Sequence, residues 1–402
     1  MLEFASASST APSTAKAARE ACAEALSRLG GARCRLVAFH ATMGHDVGAA
    51  LSTIRALAPG ARVVGCSCAG VIGRAGADES MRALALMAVG GDEGEVAVTH
   101  RDGVTGSNSA EIGEALARDA QARAGGSAPR MAMLIGPGID VAMDAMIRGV
   151  EAVFGPELPI FGGTASDNMK GVATYQGVDG EVFEHGAFLV TFHDPSLEVV
   201  MRATHGFVAA GAEFEVTRST DNRVYELDGE PAWRVYTRAL GMPESATPGD
   251  TIPPGALGLA LPDALAEEYG DTHLLRVVTH RLPDGSFLMP VTCPAGTRLS
   301  LVRRDEERIF ANLAVVMDQL RAALGDRAPV AVFHTDCGAR GRLLLDRVSK
   351  KEIVEAMQRP LFGDTCGPWL GMYGFGEITT LGGRNVFHNY TTSLYVLSRR
   401  GT

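Results

Sequence analysis

The chain has 402 residues, 46% hydrophobic and 21% charged, values that suit a soluble globular protein of roughly two or three domains with a sizeable core. A formal net charge of −10 supplies no overall drive toward nucleic acid or an anionic membrane, so neither is an expected partner. The opening "MLEFASASSTAPSTAKAAREACAEAL" is acidic at its start and polar throughout, unlike a signal peptide. The longest apolar runs (84–89 and 187–192) fall short of the roughly 18 residues of a membrane span. A cytoplasmic protein without membrane insertion is expected, its seven cysteines reduced thiols with no disulfide framework.

In chain order, "FASASST" reads as a strand and the Ala-rich stretch after it as a helix stopped by Gly30 and Gly31. "CRLVAFH" (34–40) is a buried strand, 44–60 an amphipathic helix ending at Pro-Gly, and 61–67 a returning strand. Segments 82–91 and 94–100 look like a hairpin. A helix (109–125), a strand (131–138) and a second helix (139–155) follow. From 158 to 207 the chain turns β-rich with Gly- and Asp-containing turns, which predicts an antiparallel portion. A change of character near 220 divides a first domain (30–219, with 1–29 as its opening strand and helix) from a second (220–402). The second has β-segments near 256–260, 273–280 and 286–291, a helix at 305–325, a strand at 329–335, a helix at 349–363 and closing strands at 369–378 and 386–398. The fold class is mixed α/β, two domains of mixed sheets flanked by helices.

Several strand ends carry chemistry-bearing residues. "GCSCAGVIG" (65–73) either turns the chain or brings backbone amides to a bound anion, with Cys66, Ser67 and Gly70 at its centre. Cys66 and Cys68 share one side of an extended segment but lack the second ligand pair of a zinc site. "LIGPGID" (134–140) leads from a strand into a helix N-terminus without a dinucleotide or Walker signature. "FGGTASDN" (161–168), with Gly163 and Asp167, is a capped turn or a pocket wall. In "FHTDCGARGR" (333–342), neighbouring arginine favours a Cys337 thiolate and Asp336 opposes it, with His334 a conceivable base. The ten histidines include no His-Glu-x-x-His pair, and no covalent haem motif is present.

Taken in order, "GCSCAGVIG", "FGGTASDN", "HGF" (205–207), "VYELDGEPA" (224–232), "CGARGR" (337–342), "GFGEI" (374–378) and "FHNYT" (387–391) resemble the successive motifs of the FIST sensory family, N-terminal and C-terminal domains together, over residues 30 to 395. The resemblance implies an intracellular small-ligand sensor without enzymatic activity. It would act in bacterial signal transduction through a separate histidine kinase, diguanylate cyclase or cyclic-dinucleotide phosphodiesterase, since no kinase, GGDEF or methyl-accepting segment is recognisable. It also implies a ligand-side turn at Cys337 and Arg340, the arginine pairing a carboxylate or haem propionate. Glu377, His388 and Asn389 would join it from the closing hairpin. The family's haem-binding nitric oxide sensors imply non-covalent haem b; among the ten histidines His205 is the first axial candidate, because the adjacent Gly206 would let a flat macrocycle approach, and His388, in a strand that an apolar pocket could line, the second. The alternatives are a cysteine-dependent enzyme using Cys337 and a protein-interaction scaffold.

Overall fold

The computed structural model describes residues 1–340 and 348–400; Gly341 and Arg342 of the Cys-x-x-Arg-Gly motif lie outside them. The architecture is mixed α/β, as expected. Three sheets of six strands are laid out on one plan, and a fourth sheet is inserted into the last of them.

Each unit of the plan runs strand, helix, strand, helix, strand, hairpin, strand. In the first unit these are Glu3–Ser9, helix Thr14–Arg28, Cys34–Thr42, helix Val47–Leu57, Arg62–Cys68, the hairpin Val71–Gly73 with Gly76–Asp78, and Leu84–Gly90. The second has Val96–Arg101, helix Ser109–Arg123, Met131–Gly136, helix Met143–Phe154, Ile160–Thr164, the hairpin Gln176–Val178 with Glu181–Phe183, and Ala187–Phe192. The third starts at Leu197–Thr204 and resumes after the insert with helix Glu306–Leu324 and Pro329–Cys337. Helical turns over Val348–Gln358 and Arg359–Phe362, strand Trp369–Gly374, the hairpin Gly376–Leu381 with Arg384–His388, and Thr392–Arg399 complete it. In every unit the second and third strands are parallel and the last lies antiparallel between the first and second.

The hairpins are exchanged. The second unit's hairpin completes the first sheet through Gln176 against Cys66, the third's completes the second sheet through Gly376 against Thr164, and the first's completes the third through Ile72 against Gly371. Leu84–Gly90 and Val96–Arg101 therefore do not form the expected hairpin. The former is flanked on both edges by Glu3–Ser9 and Cys34–Thr42, so it has no free edge for the latter, which borders the second sheet. A closing antiparallel hairpin is present, with Glu377 directly opposite His388, but each expected closing strand is split: Gly376–Leu381 and Arg384–His388 join the second sheet, Trp369–Gly374 and Thr392–Arg399 the third.

Local sequence explains the elements. Asp46 caps its helix by accepting from Ala49 N at 2.6 Å, Asp305 caps another from Arg308 N at 3.0 Å, and Gly325 ends it. Helix Thr14–Arg28 buries Ala17, Ala18, Ala21, Cys22 and Ala25, a stripe of small side chains that lets it lie close on its sheet. Helices cover the outer faces. The inner faces enclose an aromatic centre in which Phe161 lies 5.1 Å from Phe333 and 5.3 Å from Tyr395, ring to ring. Among the described residues no helix is long and apolar enough to cross a membrane. The insert forms an antiparallel sheet in the order His273–Arg276, Ala256–Ala260, Arg298–Arg304, Phe207–Thr220, Arg223–Leu227, Phe287–Leu288, His280–Arg281, backed by helix Ala232–Ala239.

The three strand ends from which the hairpins depart meet one another. Ser67 Oγ donates to the Ser166 carbonyl at 2.8 Å and accepts from Tyr175 N at 2.9 Å. Ser166 Oγ accepts from Ala69 N at 2.8 Å and donates to the Tyr373 carbonyl at 2.6 Å, while Tyr373 N reaches the Gly70 carbonyl at 2.8 Å. Glycines allow this approach: a Cβ on Gly163 would sit 2.0 Å from the Gly376 carbonyl oxygen, and one on Gly70 would sit 2.8 Å from the Tyr373 ring. Gly163→Ala should therefore destabilise the protein by about 1–3 kcal/mol, the usual cost of overpacking, read as a lower denaturation midpoint at unchanged slope. An unchanged midpoint would mean that the two strands can move apart at no cost.

Candidate functional site

The carboxyl ends of the parallel strands Met131–Gly136 and Pro329–Cys337 open into a cleft of about 680 Å³. This is where α/β sheets commonly hold ligands, and the size suits a small molecule. Gly138, Ile139, Cys337, Ala339 and Phe375 line it from the three-unit body, and residues 169–171 come from the turn after the second sheet's third strand. The opposite wall is the insert, through 245–250, Ile252 and 277–281. Most of the lining is apolar, with Lys170, His280 and Arg281 as cationic or imidazole groups and Asp250 as the carboxylate.

Each wall is fixed by particular bonds. Asp167, buried, accepts from Lys170 N at 2.8 Å and Gly171 N at 3.1 Å through Oδ1 and from Val172 N at 2.8 Å through Oδ2, so one carboxylate folds the turn that presents Lys170. Gly138 lies against the second glycine loop, where a Cβ would be 2.3 Å from the Ala165 carbonyl oxygen. Asn389 joins the two walls: its Nδ2 donates to the Phe375 carbonyl at 2.8 Å and its Oδ1 accepts from Val277 N at 3.2 Å. Arg304 Nη2 donates to the Ala339 carbonyl at 3.0 Å.

Behind Cys337 lies a buried polar chamber. Asp336 and Arg340 are both fully buried and 3.7 Å apart, with His334 Nε2 3.7 Å from the same carboxylate. Glu377 Oε2 accepts from Thr391 Oγ1 at 2.7 Å and Thr391 N at 3.2 Å, whereas its Oε1 and the Tyr390 hydroxyl are buried without a hydrogen-bond partner among the described residues. Tyr390 holds φ at +60°, an unusual conformation for a bulky residue. Burial pushes the Glu377 carboxyl well above its ordinary range, opposed by the Thr391 hydroxyl and reinforced by the Asp336 charge.

The chamber does not activate Cys337. Burial, followed by the nearby Glu377 charge, pushes this thiol well above its ordinary value, so it stays protonated and weakly nucleophilic. Strand alternation sends His334 to the face opposite Cys337, where it meets Thr392 Oγ1 at 2.8 Å and the edge of Trp369 at 5.8 Å between rings. The nucleophile and its conceivable base are thus separated by the sheet.

Of the residues singled out in the sequence, Cys337 lines the cleft, Asp167 and Asn389 build its walls, and Arg340 and Glu377 stand in the chamber behind it. Ser67, Gly70 and Gly163 belong to the junction of the hairpins. Cys66 is a core residue, its thiol 3.2 Å from His40 Nδ1 and 3.5 Å from Met372 Sδ. No group of three or more His, Cys, Asp and Glu among the described residues is placed to hold a metal ion.

The two axial candidates do not fit haem in this arrangement. His205 Nδ1 accepts from Phe207 N at 2.8 Å, which places the ring proton on Nε2, and that proton is donated to the His273 carbonyl at 2.9 Å. His388 is bonded through Nδ1 to Tyr269 Oη at 2.7 Å and through Nε2 to Ser393 Oγ at 3.2 Å. Both rings are fully buried outside the cleft lining, and neither has a nitrogen lone pair to offer without breaking a bond.

Sequence reading missed Lys170, Phe375, Tyr390 and the insert's wall. Tyr390 stood inside the quoted "FHNYT", and the Thr-Pro-Gly-Asp run at 247–250 is a capping-box signature that marks the insert's turn, where Thr247 and Asp250 bond reciprocally.

The pH dependence of stability reads out the chamber. A carboxyl raised in the folded state contributes stability that is full below its unfolded value, near 4.5, and is lost as pH rises toward the folded value. Glu377→Gln keeps the acceptor for Thr391 and removes the titration. Its stability relative to the unsubstituted protein should therefore rise from acid to neutral pH in paired denaturation curves. A pH-independent difference would place Glu377 in a hydrated environment.

Comparison with known proteins agrees with the motif order. Two Mycobacterium tuberculosis proteins, MT0656 of strain CDC 1551 / Oshkosh and Rv0628c of strain ATCC 25618 / H37Rv, both described as uncharacterized, are each 24% identical to this chain over 394 residues, covering 96% of it and 97% of the relative. Among solved structures, cyanuric acid hydrolase from A. caulinodans aligns over the whole of both chains at a TM-score of 0.41 and 9% identity. PurLQS from Thermotoga maritima reaches 0.20 at 11%, covering this whole chain and 73% of the other. Both scores are too low to establish a shared fold. The FIST N domain matches residues 35–230 and the FIST C domain residues 232–380, and the chain belongs to the FIST family.

Proposed function

We propose that this protein is a small-ligand sensor that binds its ligand in the cleft and acts through a separate signalling partner, such as a histidine kinase, a diguanylate cyclase or a cyclic-dinucleotide phosphodiesterase. The observation that carries the reading is the origin of the walls: 138–139 and 169–171 belong to the FIST N match, whereas 245–252, 277–281, 337–339 and Phe375 belong to the FIST C match. A ligand held there also bridges the three-unit body and the insert, so its binding energy can bias the placement of one against the other, which is what a sensor requires. The buried, protonated Cys337 thiol supports binding rather than cysteine catalysis. The haem-based nitric oxide form of this reading draws no support from His205 or His388, whose nitrogens are committed.

Val277→Trp places an indole in the cleft from the insert's wall. With a candidate kinase and the dialysable metabolites of the source cell, this variant should keep its fold by circular dichroism and keep the partner. It should lose the metabolite-dependent change in kinase autophosphorylation, with affinity at least tenfold weaker, about 1.4 kcal/mol. A folded variant that responds like the unsubstituted protein would remove the cleft from the sensing role.

A further inference from the structure

Resting on that reading, we infer the class of ligand: a small organic monoanion with an apolar body, meaning an aromatic or branched carboxylic acid without an ammonium group.

The charge pattern at the mouth points to the anion. Although the chain carries a net charge of −10, the charged and imidazole residues that line the cleft are Lys170, His280 and Arg281 against Asp250. Lys170 is exposed and has no ion-pair partner among the described residues, because the Asp167 carboxylate beneath it binds the turn's backbone instead. Arg281 is steadied by one bond, Nη1 to the Glu244 carbonyl at 2.7 Å, and by the Trp233 ring 5.8 Å away. The turn bearing Lys170 abuts the segment bearing Arg281, since a Cβ on Gly171 would lie 3.9 Å from the Thr279 carbonyl oxygen.

The remaining lining sets the body and excludes neighbouring classes. Ile139, Met169, Ile252, Val277, Val278 and Phe375 give an apolar interior. A zwitterion would need a carboxylate for its ammonium. One carboxylate, Asp250, lines the cleft, its Oδ2 accepting from Thr247 N at 2.8 Å and Thr247 Oγ1 at 2.7 Å; set against Lys170 and Arg281 it leaves an excess of positive charge, which favours a monoanion over a zwitterion, and Asp336 and Glu377 do not line the cleft. Loop sites for phosphate commonly add a cradle of free backbone amides to their cations. Here Gly138 N already donates to Thr174 Oγ1 at 3.0 Å and Gly171 N to Asp167 at 3.1 Å.

Calorimetric titration of the full chain with 3-phenylpropionate, 4-methylpentanoate and octanoate tests this, alongside 3-phenylpropanol as the neutral form, L-phenylalanine as the zwitterion and phenyl phosphate as the dianion. At least one carboxylate should bind about tenfold or more tighter than all three controls, and more weakly as salt is raised. Val277→Trp should abolish that binding, Lys170→Met should weaken it about tenfold, and Lys170→Arg should restore most of it. Equal or tighter binding of the alcohol, the amino acid or the phosphate that Val277→Trp removes would overturn the ligand class while leaving the cleft as the binding site. Binding by none of the carboxylates, or binding indifferent to Lys170→Met, would also overturn it. The sensing role is judged separately by the kinase assay with metabolites.

Discussion

Ser67, Ser166 and Tyr373 tie the three strand ends from which the hairpins depart into one bonded junction. Each sheet is completed by a hairpin that leaves another unit at this point, so an edge that would otherwise expose unpaired backbone is covered by a neighbour. No unit has a finished sheet of its own. The price is steric: the strand ends approach so closely that Gly70 and Gly163 have no room for a side chain, and a serine hydroxyl must bond two backbones at once.

The cleft inherits its shape from that junction. Phe375 follows Tyr373 by two residues, Gly138 rests on the Ala165 backbone one residue from Ser166, and Asp167 begins the turn that carries Lys170. The insert then closes the open side through Asn389, which bonds Phe375 and Val277 together. Directly behind, the chamber is poorly satisfied: Asp336 has neither oxygen hydrogen-bonded among the described residues, Glu377 has one oxygen idle, and Tyr390 is held at positive φ. Groups in that condition cost stability, and they cluster where a structure serves binding more than cohesion. The junction is well bonded, whereas the chamber behind the cleft holds buried polar atoms without hydrogen-bond partners among the described residues.

Much of this was legible in the sequence. The alternation of strands and helices over the first 155 residues follows from periodicity and caps, and the glycine-containing strings at 65–73, 161–168 and 374–378 all belong to the strand ends that meet. Their meeting was not legible, because the three units share an order of elements and not a run of residues. Local pattern also fails where pairing is decided at a distance. Segments 82–91 and 94–100 have the alternation and turn of a hairpin, but Leu84–Gly90 has both edges taken by strands from residues 3–42. The histidines teach the same lesson: Gly206 beside His205 suggested open space, whereas a Cβ there would lie 2.5 Å from Ile309 N, and the ring's partner is a carbonyl 68 residues away. Arg340 was read as a ligand contact through the family motif, and it stands one layer behind the cleft wall, 3.7 Å from Asp336.

The proposed ligand site lies between the two FIST matches, in the cleft at the carboxyl ends of the parallel strands. Amide hydrogen exchange of the full chain, with and without the dialysable metabolites of the source cell, tests it most directly. Protection should concentrate in 167–172, 245–252, 277–281 and 337–339 and leave 40–46, the equivalent strand end of the first unit, unchanged. Protection centred on 40–46 or on another surface, with those four segments unaltered, would place the ligand outside the cleft.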